Sequence, residues 1–296
     1  HEICVNSDAV LFGAVGDPKF DNNPSLNVRP EEGLLRMRKK LGLYANLSPT
    51  FTFESLLEMS PIKRSIVKGT DLIFVRELTG GIYFGKRGKS PENDYAFDTC
   101  EYKKEEVERI AKIGFELARK RSKKLCCIDK ANVLETSRLW RKTVQSMERN
   151  YKDVEVSYEF VDAVAMRLIH SPNKYDVLIT SNLFGDILTD EASVISGSMG
   201  LMPSASIGSQ TSVYEPIHGS FPEAKGKNIA NPLATILSAS MMFERSFNLT
   251  KEAEMIRKIV SDSIEQKIVT EDLAENNKSF STSQVGDWIK ERIEKE

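Results

Sequence analysis

The sequence is short of the residues that build zinc centres and disulfide frameworks: 296 residues contain three histidines and four cysteines. Cys4, Cys100, Cys126 and Cys127 show neither metal-ligand nor disulfide spacing, and the adjacent pair sits in an apolar run, where small buried thiols are the simpler reading. So few histidines do not fit a His-based zinc site. No apolar run approaches the length that crosses a bilayer, and the N-terminus lacks the charged-then-apolar layout of a signal peptide. Charge of one sign is missing as well: 41 Lys and Arg stand against 43 Asp and Glu, for a net charge of −2. With the basic residues dispersed, nothing points to nucleic acid or to an anionic membrane. The one basic cluster, Lys86-Arg87-Gly88-Lys89, reads as a solvated loop. These absences leave a cytoplasmic protein. What is present is an ordinary globular composition, 40% hydrophobic and 28% charged, in a chain long enough for two domains and without internal repeats. It begins at His1, not Met, only a few residues before an apolar run, which is the pattern of a fragment.

Short apolar runs bounded by polar residues read as buried strands at Asp8–Phe12, Asp71–Val75, Leu125–Asp129, Glu159–Val161 and Tyr175–Thr180. Helical spacing marks Leu34, Leu35, Met37 and Leu41, then Glu105–Lys120, the segment carrying Trp140 and Val144, and Leu233–Phe247 with Met241 and Met242 in its packing face. Beyond Asp190 the composition shifts to serine and glycine, placing a domain crossover near Gly197. Tyr214–Ser220 and Phe221–Pro232 are polar and glycine-containing enough to be a binding loop. Glu252–Lys267 and Gln284–Lys295 read as surface helices.

Chemistry gathers where these strands end. Asp186 and Asp190 lie four apart at the opening of a helical segment, so two carboxylates share one face. Like charges at that spacing are destabilising unless a cation sits between them, and oxygen donors suit Mg²⁺ or Mn²⁺. A solvated acidic helix start, favoured by the dipole, is the other reading. Asp71–Val75 delivers Arg76, Glu77, the pair Gly80-Gly81 and Tyr83. Arg offers a planar fork for a carboxylate and Tyr a positioned proton; the plainer alternative pairs Arg76 with Glu77 beside a packed Tyr. Lys130 follows a buried strand, where ligands bind in α/β sheets, and is either a tuned base or a surface lysine. Asp162 follows another strand, as an N-cap or as a third carboxylate for a divalent ion. Gly13-Ala14-Val15-Gly16 is a strand-to-loop turn without the full dinucleotide fingerprint.

Four segments in this order, Arg76–Gly85, Asp129–Leu134, Phe184–Asp190 and His218–Pro232, closely resemble the β-decarboxylating dehydrogenase family, which includes the isocitrate, isopropylmalate, homoisocitrate and tartrate dehydrogenases. The match runs from about Asp8 to the C-terminal helices. The resemblance implies an α/β fold of two domains sharing a large sheet: a discontinuous cofactor domain, 1–43 plus 198–296, that lacks the family's N-terminal strand and glycine-rich turn, and a substrate, metal and dimerisation domain, 44–197. It implies a homodimer with active sites shared between subunits, and a small 2-hydroxy dicarboxylate as substrate. Mg²⁺ or Mn²⁺ would be bound by Asp162, Asp186 and Asp190, with Lys130 as the base and Tyr83 as the proton donor. Lys130 and Asp162 would reach the neighbouring subunit's site. Arg38 and Arg76 match two arginines that hold the substrate carboxylate; the position of a third is Ser48. Glu31, Leu34 and Leu35 match the isopropylmalate branch, where two leucines form an apolar pocket in which an extra carboxylate would be stranded. Gly16, Asp17, Arg29, His218, Gly219, Ser220, Glu223 and Asn231 fall in the cofactor segments, and Glu223, opposite the adenosine ribose, favours NAD over NADP. The expected reaction is the oxidative decarboxylation of 3-isopropylmalate in leucine biosynthesis. Tartrate or homoisocitrate oxidation and a catalytically idle regulatory subunit are the alternatives.

Overall fold

The computed structural model describes residues 2–21, 30–274 and 278–296. Its principal elements are β1 (Ala9–Leu11), α1 (Pro30–Lys40), β2 (Leu43–Phe51), β3 (Asp71–Glu77), β4 (Arg87–Lys89), β5 (Ala96–Asp98), α2 (Lys104–Lys120), β6 (Lys124–Asp129) and α3 (Glu135–Glu148), followed by β7 (Glu155–Phe160), α4 (Val161–His170), β8 (Val177–Thr180), α5 (Asn182–Ser193), β9 (Pro203–Gly208), β10 (Ser212–Pro216), α6 (Leu233–Ser246), α7 (Thr250–Glu265) and α8 (Thr282–Ile293). The architecture is α/β. It divides into two compact units, one of His1–Leu43, Thr52–Arg64 and Ser193–Glu296, the other of Tyr44–Phe51 and Ser65–Ala192.

In the second unit β2 runs antiparallel to β3, and β3, β8, β6 and β7 follow one another in parallel. Parallel strands are covered on both faces, which is why β3, β6 and β8 are buried almost without a break and read as continuous apolar runs. One cover is α2, whose buried stripe is Val107, Ile110, Ala111, Phe115 and Ala118. Gly114 in that stripe sets how close the helix can come: a Cβ there would lie 2.3 Å from Ile179 Cγ2. Because the four strands are parallel, their carboxyl ends open on one edge of the sheet, and there the chain turns into the segments that carry polar residues.

In the first unit β1 pairs parallel with β10, and β10 antiparallel with β9. Met37 and Leu41 of α1 meet Leu43 and Val213, with Cys4, Val10, Phe12 and Leu34 packed against them. Along α6 the buried Ala234, Ser238 and Ser240 alternate with Leu233, Leu237 and Met241, so the methionine is packing, as its spacing predicts.

Three local expectations are corrected. The serine- and glycine-rich stretch after Gly197 contains β9, and Tyr214-Glu215-Pro216 belongs to β10 and not to a loop. Lys86–Lys89 is partly strand, since β4 pairs with β5 in an exposed hairpin. The helix bearing the two aspartates starts at Asn182, four residues before Asp186. Among the described residues no helix is long and apolar enough to cross a membrane.

Candidate functional site

At the end of β3, Arg76 is nine-tenths buried and reaches α5. Its Nη1 lies 2.6 Å from Asp186 Oδ1, and its Nε and Nη2 donate to Asn182 Oδ1 at 3.2 and 2.8 Å. Gly185 is what lets the arginine lie there, because a Cβ would stand 2.6 Å from Arg76 Cγ. The Tyr83 hydroxyl donates to the second oxygen of Asp186 at 2.6 Å. Burial, and then the hydrogen bond to Asp186, push that phenol up to about 12. Asp190 follows one turn later, and its carboxyl is raised, first by desolvation and then by the charge of Asp186. The acids therefore sit in the second and third turns of α5, which removes the helix-start reading. Nor does Arg76 pair with Glu77. Glu77 is fully buried and accepts from the Thr79 amide and hydroxyl, the Gly80 amide and Arg109.

The double glycine serves an aromatic ring. A Cβ on Gly80 would meet Tyr102 at 2.7 Å, and Gly81, at φ +77°, would collide with the Tyr102 hydroxyl. That hydroxyl accepts from the Asn182 amide at 2.9 Å, and Asn182 Nδ2 donates to the Gly80 carbonyl at 3.1 Å.

Lys130 and Asp162 form a second cluster, over β6 and β7. Lys130 Nζ is 2.7 Å from Asp162 Oδ1 and 5.6 Å from the centre of the Phe160 ring. That hydrogen bond holds the Asp162 carboxyl below the usual carboxylate range. Among the described residues no three acidic, histidine or cysteine side chains come together around one point. Asp162 therefore does not join Asp186 and Asp190 within a single chain. Ser48 is buried in β2 and donates to Asn46 Oδ1 at 2.7 Å, and Asn46 is the residue registered opposite Arg76.

In the first unit Arg38 Nη2 lies 3.2 Å from Glu215 Oε1, while Arg38 Nε is buried without a hydrogen-bond partner among the described residues. Desolvation raises the Glu215 carboxyl against the pull of Arg38. Leu34 packs on the core and Leu35 is half-buried beside it in sequence. Glu31 lies in the first turn of α1, with its side chain outside the described residues, and Arg29 lies outside them altogether. Ser220 Oγ donates to the Gly16 carbonyl, so the two segments expected to contact the cofactor touch each other. Asp17 is paired with Lys19 at 2.8 Å, and Glu223 is exposed in the turn Pro222–Ala224. His218 Nδ1 meets the Gly219 carbonyl at 2.9 Å, but among the described residues Nε2 is buried without a partner. The Asn231 amide donates to Asp272 and accepts from the Leu233 amide, which fixes the start of α6.

The isocitrate/isopropylmalate dehydrogenase family matches residues 1–289. The chain belongs to that family. It is 55% identical over 296 residues to the 3-isopropylmalate dehydrogenase of Bacteroides fragilis (strain YCH46), covering all of this chain and 83% of that one. With the 3-isopropylmalate dehydrogenase of Aquifex aeolicus it is 50% identical, over 99% of this chain and 82% of that one. Among solved structures, isocitrate dehydrogenase from Methylococcus capsulatus aligns with TM-score 0.84 at 33% identity, covering 96% of this chain and 80% of that one. A β-decarboxylating dehydrogenase from Thermococcus kodakarensis aligns with TM-score 0.79 at 33% identity, over 99% of this chain and 80% of that one.

The donors of this family member fit the groups it would bind. Two carboxylates one turn apart, one of them raised by desolvation and then by the charge of the other, would be relieved by a hard divalent cation. His218 Nε2, without a partner among the described residues, is a polar atom that a nucleotide could meet. Asn182, Tyr102 and Glu215 were not singled out in the sequence, and Glu77 was named only as an alternative partner for Arg76. A lone Asn or Tyr carries no spacing signal, and Glu215 hides in a stretch whose polarity suggests a loop.

Proposed function

We infer that this chain oxidises and decarboxylates (2R,3S)-3-isopropylmalate to 4-methyl-2-oxopentanoate with reduction of NAD, in the cytoplasm, as the dehydrogenase of leucine biosynthesis. What supports the reading is the hydrogen-bonded set Arg76–Asp186–Tyr83 in a chain 55% identical along its whole length to a 3-isopropylmalate dehydrogenase. Arg76 and Arg38 bind the malate carboxylates, and Leu34 and Leu35 face the isopropyl group and disfavour a further carboxylate. Asp162, Asp186 and Asp190 would hold Mg²⁺ or Mn²⁺, which when bound would supply Lewis acidity at the substrate hydroxyl. Lys130 would accept the hydroxyl proton as that carbon gives up hydride to NAD, for which the Gly16–Arg29 and Gly219–Asn231 segments would be the binding segments. The C–C bond to the β-carboxylate then breaks, CO₂ departs, and the electron pair passes into the new carbonyl as an enolate. Tyr83 returns a proton to its carbon.

The site is completed by a second copy of the chain. On α4, Asp162, Met166 and Ile169 share one face at i, i+4 and i+7, and the two apolar residues are 65% and 42% exposed. Ile187 of α5, and Tyr95 and Phe97 by the hairpin, are exposed in the same unit. Such a surface suits an isologous dimer in which Asp162 and Lys130 serve the partner's Asp186 and Asp190.

The test is NADH formation on 3-isopropylmalate with Mg²⁺, alongside tartrate, homoisocitrate and isocitrate. Turnover of isopropylmalate alone, abolished by EDTA, is expected; turnover of a different acid refutes the substrate. Shared sites are tested by mixing two inactive chains, Lys130→Met and Asp186→Asn. Random exchange leaves one intact site per mixed dimer, so about a quarter of parental activity should return, and none if each chain is self-sufficient.

A further inference from the structure

The hydrogen bonds around α5 close into a ring. Arg76 Nη1 meets Asp186 Oδ1, Asp186 Oδ2 accepts from Tyr83, Tyr83 follows the Gly80-Gly81 turn, the Gly80 carbonyl accepts from Asn182 Nδ2, and Asn182 Oδ1 returns to Arg76 through Nε and Nη2. We propose that Asn182 is a positioning residue, whose single amide orients the substrate-binding guanidinium of Arg76 and the turn that presents Tyr83.

The chemistry of the amide suits the task. A carboxamide has an acceptor at one end and donors at the other, so it can hold a guanidinium and a carbonyl at once without adding charge. A carboxylate at that place would neutralise Arg76 and set an oxygen against the Gly80 carbonyl. A hydroxyl would be too short to bridge both. Asn182 is 1% exposed, and its own backbone is tied by its N–H to the Tyr102 hydroxyl. Tyr102 in turn fills the space that the two glycines leave. The Gly80 peptide is thus gripped on both sides, its N–H by Glu77 and its C=O by Asn182, while the Gly81 N–H donates to the Glu101 carbonyl. Arg76 is held along its Nε edge, so the direction from which it meets a carboxylate is fixed before substrate arrives. Asn182 touches no reacting atom; it acts through Arg76 and the turn.

The proposal rests on the reading that Arg76 and Tyr83 act on the substrate, and the experiment separates the two. Asn182→Ala should raise the KM for 3-isopropylmalate and lower kcat, each by roughly ten- to a hundredfold, with the KM for NAD within about twofold of parent. In an Arg76→Lys background the same substitution should raise KM by less than about threefold, because its effect passes through the arginine. Amide exchange of the 79–85 segment should quicken while that of β3, β6 and β8 stays at parental rates. Asn182→Ser removes the same reach and should give the same pattern; it is the variant to measure where Ala yields no folded protein. Equal KM factors in both arginine backgrounds, a parallel rise in the NAD KM, or unchanged exchange at 79–85 each overturn the proposal. Failure of the parent itself to turn over isopropylmalate overturns the functional reading, while the exchange result still decides whether Asn182 holds the turn.

Discussion

Ser48 gives its hydroxyl to Asn46, and Asn46 stands in register with Arg76. A guanidinium at position 48 would add a charged fork beside that pair, at the cost of displacing Asn46 from a buried strand. Ser48→Arg is therefore expected to lower the Michaelis constant for isopropylmalate by roughly tenfold and to lower Tm by a few degrees. An unchanged Michaelis constant would remove Ser48 from the substrate site. Tyr83 keeps its proton well past neutral pH, since burial and the Asp186 carboxylate push the phenol up to about 12. Tyr83→Phe retains the ring and loses the proton, so kcat should fall by roughly 10²–10⁴-fold while isopropylmalate binding is little changed. A kcat within a factor of a few of parent would hand the donor role to another group.

Helix α5 carries more of the site than its two aspartates suggest: Asn182 at its first residue, Gly185 under the arginine, Asp186 and Asp190 on successive turns. Gly185→Ala places a methyl where Arg76 Cγ lies, 2.6 Å from it. Moving the arginine is easier than moving the helix, so the Michaelis constant for isopropylmalate should rise by about tenfold or more, with a Tm loss of only a few degrees. A variant that melts much earlier yet binds substrate normally would contradict that assignment. The elements explain what could be read in advance. The strands that are buried on both faces, β3, β6 and β8, announce themselves as apolar runs, and the polar residues just beyond them were legible as a site. β9 was not, because Pro203-Ser204-Ala205-Ser206 packs small side chains and so carries no apolar signal. β10 was missed for the opposite reason, a buried Glu215 that only its partner Arg38 accounts for. The ring through Asn182 joins residues of separate segments, and no spacing in the sequence expresses it.

At the scale of the whole chain, burial of groups that ionise in alkali gives stability a dependence on high pH. Desolvation pushes the Cys126 thiol from its ordinary 9.0 up to about 12, and raises Cys127, Tyr102, Tyr158 and Tyr175 as well. Each holds its proton more tightly folded than unfolded. The stability this represents is fully present below the ordinary thiol and phenol values and is lost as pH rises through them towards the folded ones. A melting temperature that is level up to about pH 9 and declines from there towards pH 12 is expected, and one indifferent to pH across that window would show that these groups are hydrated in the native state.

The spacing of the two clusters along the chain also sets an order in time. Lys130 and Asp162 are 32 residues apart, whereas Tyr83 and Asp186 are separated by 103 and Arg76 and Asn182 by 106. Closing the longer loops waits on β3 meeting β8, so the lysine half of the site can form while the arginine half is still open chain. Recovered catalysis in a refolding experiment is thus expected to need both the β3–β8 pairing and the assembly of two chains, and to run behind any signal that reports helix or strand content alone.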